Sequence, residues 1–210
     1  MLTVNNLSFA FGARRLFESI SFDLKAGHVI RLSGPNGAGK STLMSILAGL
    51  NVSSTGTVSF ANPSGLPEAD HRQWTAWIPP DANALQPNLS AVQNLSFWLD
   101  VRGRTVTKDE FNTMLSAWGL TGVYVTQHLP VGLFSTGMKR RLALARLMLS
   151  NAKLWLLDEP LFGLDSIACE QLRQKLKEHL EQGGSAIVIT HDDRLLENLP
   201  FATVSLGSSK

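Results

Sequence analysis

The chain has 210 residues, of which 44% are hydrophobic and 17% charged, and its formal net charge is +2. This composition suits one folded domain with a sizeable core and argues against a disordered chain, while the mild charge gives no reason to expect a nucleic-acid partner. The sequence shows no signal peptide and no run of about 18 apolar residues, so we expect a protein that does not itself span a bilayer.

Strand and helix patterns alternate through the first third of the chain. Apolar and polar residues alternate over two short stretches separated by a turn signal at Gly12, and a mostly apolar run, HVIRL, leads into a glycine-rich loop. Leucine and isoleucine at helical spacing follow that loop. The predicted order is strand 2–9, strand 19–24, strand 28–32, helix 40–50 and strand 56–60.

The middle of the chain differs in character from its two ends. A predicted strand at 74–78 is broken by Pro79 and Pro80, and helical patterns follow at 90–102 and 107–118. Strands and helices then alternate again, in the order helix 138–150, strand 153–158, helix 167–182, strand 185–190 and strand 201–206. This alternation predicts an α/β fold with a largely parallel sheet, into which the helical middle is inserted.

Residues 34–42, GPNGAGKST, match the pattern G-x-x-x-x-G-K-[ST] at every fixed position. The glycines allow successive backbone N–H groups to turn inward around an anion, and the helix that follows adds its dipole. The lysine offers a cation to the β- and γ-phosphates, and the serine offers a hydroxyl to Mg²⁺. A chance glycine turn is disfavoured because a buried strand precedes the motif and an apolar helix follows it. The predicted nucleotide-binding residues are Gly34, Pro35, Asn36, Gly37, Ala38, Gly39, Lys40, Ser41 and Thr42.

Two later buried strands end in polar residues that we expect at the same edge of the sheet. KLWLLDEP ends in Asp158 and Glu159, and SAIVITHDD reaches His191. Open α/β sheets bind ligands at the carboxyl ends of their strands, so these side chains are predicted to lie beside the phosphate loop. Asp158 would hold Mg²⁺ with Ser41, Glu159 would polarise the attacking water, and His191 would contact the γ-phosphate. Taken alone, each is more typical of a solvated or packed strand end.

A run of small residues at 135–137 precedes a predicted helix whose first turn carries Lys139, Arg140 and Arg141. The positive end of the helix macrodipole disfavours cations at this position. Two explanations stay open: the cluster faces an anion on a partner, or it is a solvated helix face.

Together these motifs resemble the ATP-binding subunits of ABC (ATP-binding cassette) transporters over nearly the whole chain and in the family's order. The resemblance rests on a Walker A loop at 34–42, a Walker B strand at 154–159, a D-loop at 161–165 (LFGLD) and a signature-like sequence at 134–138 (FSTGM). Phe11 stands where the family has its adenine-stacking aromatic residue, and His191 where it has its switch histidine.

The resemblance implies one ABC ATPase domain over residues 1–210. Residues 1–66 and 136–210 would form a P-loop core with an N-terminal antiparallel β-subdomain, and residues from about 67 to 135 a helical subdomain. ATP and Mg²⁺ are the implied cofactors, with catalytic roles for Lys40, Glu159 and His191.

The resemblance also implies partners. Two subunits would face each other head to tail, with Ser135 and Gly137 of one contacting the γ-phosphate bound by the other. The homodimer would act peripherally on integral membrane transporter subunits, at the cytoplasmic face of the inner membrane, and would not bind nucleic acid.

A closer resemblance is to the ATPase family of the cytochrome c maturation system, described as haem exporter ATP-binding subunits. It is carried by FSTGMKRRLALARLMLSNAKLWLLDEP at 134–160 and by EQGG at 181–184. It implies a haem-related export or release function. The ATPase subunit of another small ABC exporter stays open as an alternative.

Two positions depart from the ABC pattern. Met138 stands where the signature ends in Gln, and the Gln expected after strand 74–78 is absent from WIPPDANALQP, in which Asp81 and Gln86 lie near the expected place. Methionine lacks the amide donor and acceptor, and Asp81 would add negative charge beside ATP, so we expect hydrolysis to be slow or differently gated.

Other classes of P-loop protein fit less well. A soluble ABC-type ATPase acting on nucleic acid or ribosomes would need coiled-coil arms, tandem cassettes or a strongly basic surface, and this chain has one cassette, no heptads and a charge of only +2. A kinase would need a lid and an acceptor site, and a GTPase a base-reading N/T-K-x-D motif. The signature-like FSTGM argues against both.

Overall fold

The protein is described from a computed structural model, which covers residues 2–60, 68–80, 84–122 and 124–207. The strands are β1 Leu2–Phe11, β2 Arg14–Leu24, β3 Val29–Ser33, β4 Thr55–Phe60, β5 Thr75–Ile78, β6 Leu154–Asp158, β7 Ser185–Ile189 and β8 Phe201–Ser205. The helices are α1 Lys40–Leu47, α2 Ala91–Val101, α3 Lys108–Ala117, α4 Thr136–Leu149 and α5 Ser166–Glu181.

Two sheets form the framework. A five-stranded sheet has the order β5-β6-β7-β3-β8, and each neighbouring pair is parallel. A three-stranded antiparallel sheet has the order β2-β1-β4. The predicted α/β class with a parallel core sheet is therefore confirmed. The phosphate-loop strand β3 lies next to β7, and β6 lies one strand further away.

The parallel sheet is covered on both faces because its central strands are apolar on both faces. Along β6, Leu154 and Leu156 pack with α1 and the antiparallel sheet, whereas Trp155 and Leu157 pack on the opposite face with α4 and α5. All five residues of β6 are buried, as are all five of β7. Their carboxyl ends therefore emerge together at one rigid edge.

Helix α4 lies between two hydrophobic clusters. Its Leu144 and Leu147 pack against the parallel sheet, while Leu142 and Leu149 pack with α2 and α3. A helix that is apolar on nearly every side is a buried helix. Helices α2 and α3 each begin with a reciprocal capping box, at Ser90 and Thr107 respectively.

At the amino-terminal edge of the parallel sheet, His179 of α5 is held in a tight aromatic contact. Its ring stacks on Trp155 with centroids 3.9 Å apart and an angle of 9° between the planes. A Cβ on Gly184 would lie 2.2 Å from the His179 ring, so only glycine fits there. Burial lowers the pKa of His179 to about 4, which means that the folded protein holds this ring neutral.

Candidate active site

A cleft of about 400 Å³ opens at the carboxyl edge of the parallel sheet. The phosphate loop, the start of α1, the ends of β6 and β7 and the β1–β2 hairpin form its walls. Predicted site residues from separate motifs line it together: Asn36, Gly37, Gly39, Lys40, Ser41, Thr42, Asp158, Glu159 and His191. The structure thus brings residues of separate motifs together at one edge of the parallel sheet.

The phosphate loop takes a path that requires glycine at two points. Gly34 has φ 138°, and a Cβ there would lie 2.3 Å from the carbonyl oxygen of Leu206. Gly39 has φ 92°, and a Cβ there would lie 2.8 Å from the Phe17 ring. Larger residues would push the loop off β8 and the antiparallel sheet. Helix α1 starts at Lys40, so the N–H groups of its first turn have no acceptor within the helix.

The Lys40 side chain folds back over this loop. Its Nζ donates to the carbonyl oxygens of Gly34, at 2.8 Å, and Pro35, at 3.0 Å. The ammonium thus lies over the space that the loop encloses. The Ala38 side chain is buried and its N–H donates to Pro35 at 3.2 Å, so Ala38 supports the loop from within.

The carboxylates at the end of β6 occupy different environments. Asp158 is only 2% exposed, and the Glu159 side chain is one-third exposed. Glu159 has φ 44°, a left-handed conformation that is costly for a residue with a Cβ. Two contacts hold it there: its N–H donates to Ile189 at 2.8 Å, and its carbonyl accepts from Arg140 Nη2 at 3.2 Å.

His191 follows β7 and meets Glu159 across the cleft. Its Nε2 lies 3.4 Å from Glu159 Oε1, and the imidazole is 77% exposed. Glu159 and His191 therefore face one volume beside Lys40. An acid–base group and a hydrogen-bonding ring at this distance can act together on a ligand that enters the cleft.

The signature-like segment lies away from this cleft. Ser135 caps α4 by accepting from the Met138 N–H at 3.2 Å, and its side chain is exposed. Gly137 packs on the backbone of the LFGLD turn, where a Cβ would lie 2.8 Å from the Gly163 carbonyl oxygen. Among the described residues, those that line the cleft include neither Ser135 nor Gly137.

The three cations at the start of α4 have separate local partners. Lys139 Nζ donates to the Gly132 carbonyl at 3.1 Å, and Arg141 forms an ion pair with Asp165. Arg140 is 1% exposed and donates to the carbonyls of Pro79, Pro80 and Glu159. For Arg140, the solvated-face hypothesis is wrong, and its burial also excludes direct contact with an anion on a partner.

Three other residues singled out from the sequence do not line the cleft or lie outside the described residues. Phe11 is 78% exposed at the tip of the β1–β2 hairpin. Gln86 is fixed through its backbone, which exchanges hydrogen bonds with the Asn94 side chain at 2.7 and 3.0 Å, and within the described residues it does not line the cleft. Asp81 lies outside the described residues.

The sequence analysis did not predict four of the residues that line the cleft, Arg14, Leu16, Pro80 and Ile189. Pro80 lines it just after β5, and Arg14 lines it from the hairpin. Their signals were a double proline directly after a strand and a cation three positions after the predicted adenine-stacking Phe11.

The fold and the cleft define a P-loop nucleotide-binding ATPase with an attached antiparallel sheet. The family pattern described as ABC transporter matches residues 17–162. Among solved structures, "Structure of ATP binding subunit of ABC transporter" superposes with a TM-score of 0.82, at 26% identity over 97% of this chain and 85% of the other. A dimeric ATP-binding cassette in a post-hydrolysis state, bound to ADP and phosphate, shares the fold with a TM-score of 0.82 at 23% identity, over 100% of this chain and 97% of that chain.

Curated relatives are more specific. The cytochrome c biogenesis ATP-binding export protein CcmA of Vibrio cholerae is 35% identical over 100% of both chains. CcmA of Chelativorans sp. is 38% identical over 90% of this chain and 91% of its own. The chain belongs to the ABC transporter family and, within it, to the group of these cytochrome c biogenesis ATP-binding export proteins. In the described parts of the chain, no helix combines the length and apolarity needed to cross a membrane.

Proposed function

We propose that this protein binds and hydrolyses ATP as the energy-supplying subunit of an ABC exporter in cytochrome c biogenesis, with a haem-related cargo. The convergence of Lys40, Asp158, Glu159 and His191 on one cleft at the phosphate loop carries the ATPase part of this proposal. Similarity to the CcmA proteins along nearly the whole chain supports the part that concerns cytochrome c.

In this proposal the triphosphate lies in the phosphate loop, with backbone N–H groups of the loop and of the first turn of α1 around it. Lys40 exchanges its two carbonyl partners for phosphate oxygens. Glu159 accepts the proton of the attacking water, and His191, next to Glu159, orients the γ-phosphate. Phe11, exposed at the hairpin tip, stacks on adenine.

The residues also fit Mg²⁺, because the Ser41 hydroxyl and the Asp158 carboxylate are oxygen donors in the same cleft and this ion prefers oxygen ligands. When bound, Mg²⁺ would neutralise charge on the phosphate oxygens. The chain's own contribution is to hold Asp158 on the rigid end of a buried strand.

We further propose a head-to-tail homodimer. Ser135 and Gly137 lie outside the chain's own cleft, and a helix start whose Ser135 is exposed suits a phosphate bound by a second copy. Residues from about 67 to 135 would act as the helical subdomain that meets integral membrane subunits, with this protein peripheral at the cytoplasmic face of the inner membrane.

The test is ATP binding and hydrolysis by the purified protein. Lys40→Ala should lower hydrolysis at least about 100-fold by removing the phosphate cation. Glu159→Gln should still bind ATP, hydrolyse it about 100-fold or more slowly, and elute as a dimer under saturating ATP. Lys177→Ala, at an exposed ion pair on α5, is the matched control.

Each part of the proposal has its own contrary result. If Lys40→Ala hydrolyses ATP at the wild-type rate, the assignment of this cleft as the ATP site is refuted. A Glu159→Gln variant that stays monomeric under saturating ATP would refute the dimer but not the nucleotide site.

A further inference from the structure

Arg14 stands where the β1–β2 hairpin meets the cleft. It pairs directly with Phe11 across the antiparallel ladder, so the two side chains leave the same face of the sheet. Arg14 lines the cleft together with Lys40 and Glu159. Arg15, its neighbour, pairs with Ala10 and belongs to the opposite face.

The guanidinium of Arg14 reaches the middle of the phosphate loop. Its Nη2 lies 3.6 Å from the position that a Cβ on Gly37 would take. Gly37 has φ 82°, and its lack of a side chain leaves the loop backbone open to whatever the loop encloses. A group bound against Gly37 would therefore lie within reach of the Arg14 fork.

A triphosphate would bring more negative charge into the cleft than Lys40 alone can offset. Lys40 and Arg14 supply the positive charges of the cleft, and Asp158 and Glu159 its two carboxylates. Within the described residues Arg14 forms no ion pair with a carboxylate, whereas Arg15 Nη1 forms one with Glu18 at 2.5 Å.

We infer that Arg14 is a nucleotide-binding residue that grips the phosphate chain from the hairpin side while Lys40 grips it from the loop. This rests on the proposed ATP-binding function and extends it by a residue outside the phosphate-loop motif. A guanidinium presents a planar fork that matches two phosphate oxygens, which an ammonium cannot do. The hairpin would then contact both ends of the nucleotide, because Phe11 would stack on the base and Arg14 would bind the phosphates.

The experiment compares the affinities of ATP, ADP and AMP for the full chain by competition with a fluorescent ATP analogue. Arg14→Ala should weaken ATP and ADP about tenfold or more, as expected for a hydrogen bond to a charged group, and weaken AMP much less. Arg14→Lys should recover part of the loss, and the matched control Arg15→Ala should bind all three nucleotides like the wild type.

The outcomes separate the inference from the function on which it rests. If Arg14→Ala binds ATP like the wild type while Lys40→Ala loses ATP, the inference is overturned and the proposed function stands. An equal loss for ATP, ADP and AMP would overturn the phosphate assignment in favour of a contact with the nucleoside. If the wild type does not bind ATP, the proposed function itself has failed. Arg14 is exposed, so unchanged thermal melting should show that the variants are folded.

Discussion

Replacing Arg140 by alanine tests whether a buried cation holds the catalytic strand end in place. Its guanidinium donates to Pro80 at 2.8 Å, to Pro79 at 2.9 Å and to Glu159 at 3.2 Å. All three acceptors are main-chain carbonyls, so one side chain joins the segment after β5 to the end of β6. Its removal leaves three carbonyls without this donor and a cavity beside them.

The expected cost follows from those contacts. Hydrogen bonds to charged groups contribute about 1.5–3 kcal/mol each, but they share one side chain and are not additive. A buried acceptor left without its donor costs about 1–3 kcal/mol, and the cavity adds to this, so we expect a total loss of about 3–5 kcal/mol. At about 2–4 °C per kcal/mol for a chain of this size, the melting temperature should fall by roughly 6–20 °C.

Urea unfolding of the purified variant measures the loss, with Arg141→Ala as the neighbouring control. Arg141 pairs with a half-exposed Asp165, so its removal should leave the unfolding midpoint nearly unchanged. We also expect Arg140→Ala to lower kcat more than ATP affinity, because Glu159 would lose a contact that maintains its left-handed backbone. A variant whose unfolding free energy lies within about 0.5 kcal/mol of the wild type would refute the reasoning.

Two further predictions concern the rest of the chain. His179→Gln should flatten the pH dependence of stability between pH 6.5 and about 4, where the wild type should lose roughly 3 kcal/mol as the pH falls, because the unfolded ring binds a proton that the folded ring excludes. Differential melting across this range measures it, with exposed His128→Gln as the control. Gly137→Ala should cost about 1–3 kcal/mol in urea unfolding, because its Cβ would press on the Gly163 carbonyl, while ATP affinity of the chain's own cleft stays unchanged.

Each of these has a clear contrary result. An equal pH slope in wild type and His179→Gln would mean that another group titrates in place of the ring. If Gly137→Ala is as stable as the wild type, the start of α4 can shift away from the Gly163 carbonyl without a cost in stability.

Much of the framework was predictable because its signals are local. Buried strands of the parallel sheet are short, apolar and bounded by turn residues, so β6 and β7 were found within a residue of their observed ends. The phosphate loop could be predicted because its motif fixes glycine at positions such as 34 and 39, where the structure leaves no room for a side chain. Strand β2 begins at Arg14, five residues before its predicted start, because the ladder with β1 continues through charged residues that break the apolar alternation.

Arg140 shows where sequence reasoning failed. Charged side chains are rarely buried, and both explanations offered for 139–141, an anion on a partner or a solvated helix face, left the three cations accessible. The contrary signal lay further along α4, where apolar residues surround the helix on all sides from Leu142 onward. Arg140 lies one helical turn before Leu144 and therefore on the same buried face of α4. The acceptors of Arg140 include Pro79 and Pro80, which follow β5 and lie 60 or more residues earlier in the chain, so no local sequence pattern predicts these contacts.

Arginine side chains bind the main chain of β5 and of the residues that follow it. Arg102 donates to the Thr75 carbonyl at 2.7 Å and Arg146 to that of Ala84 at 2.7 Å, on either side of the carbonyls held by Arg140. In each of these contacts the acceptor is a backbone carbonyl, so the contact does not involve the side chain of the accepting residue. The arginine contacts at Pro79, Pro80 and Ala84 therefore do not depend on the side chains at those three positions, so substitutions there can accumulate without loss of these contacts.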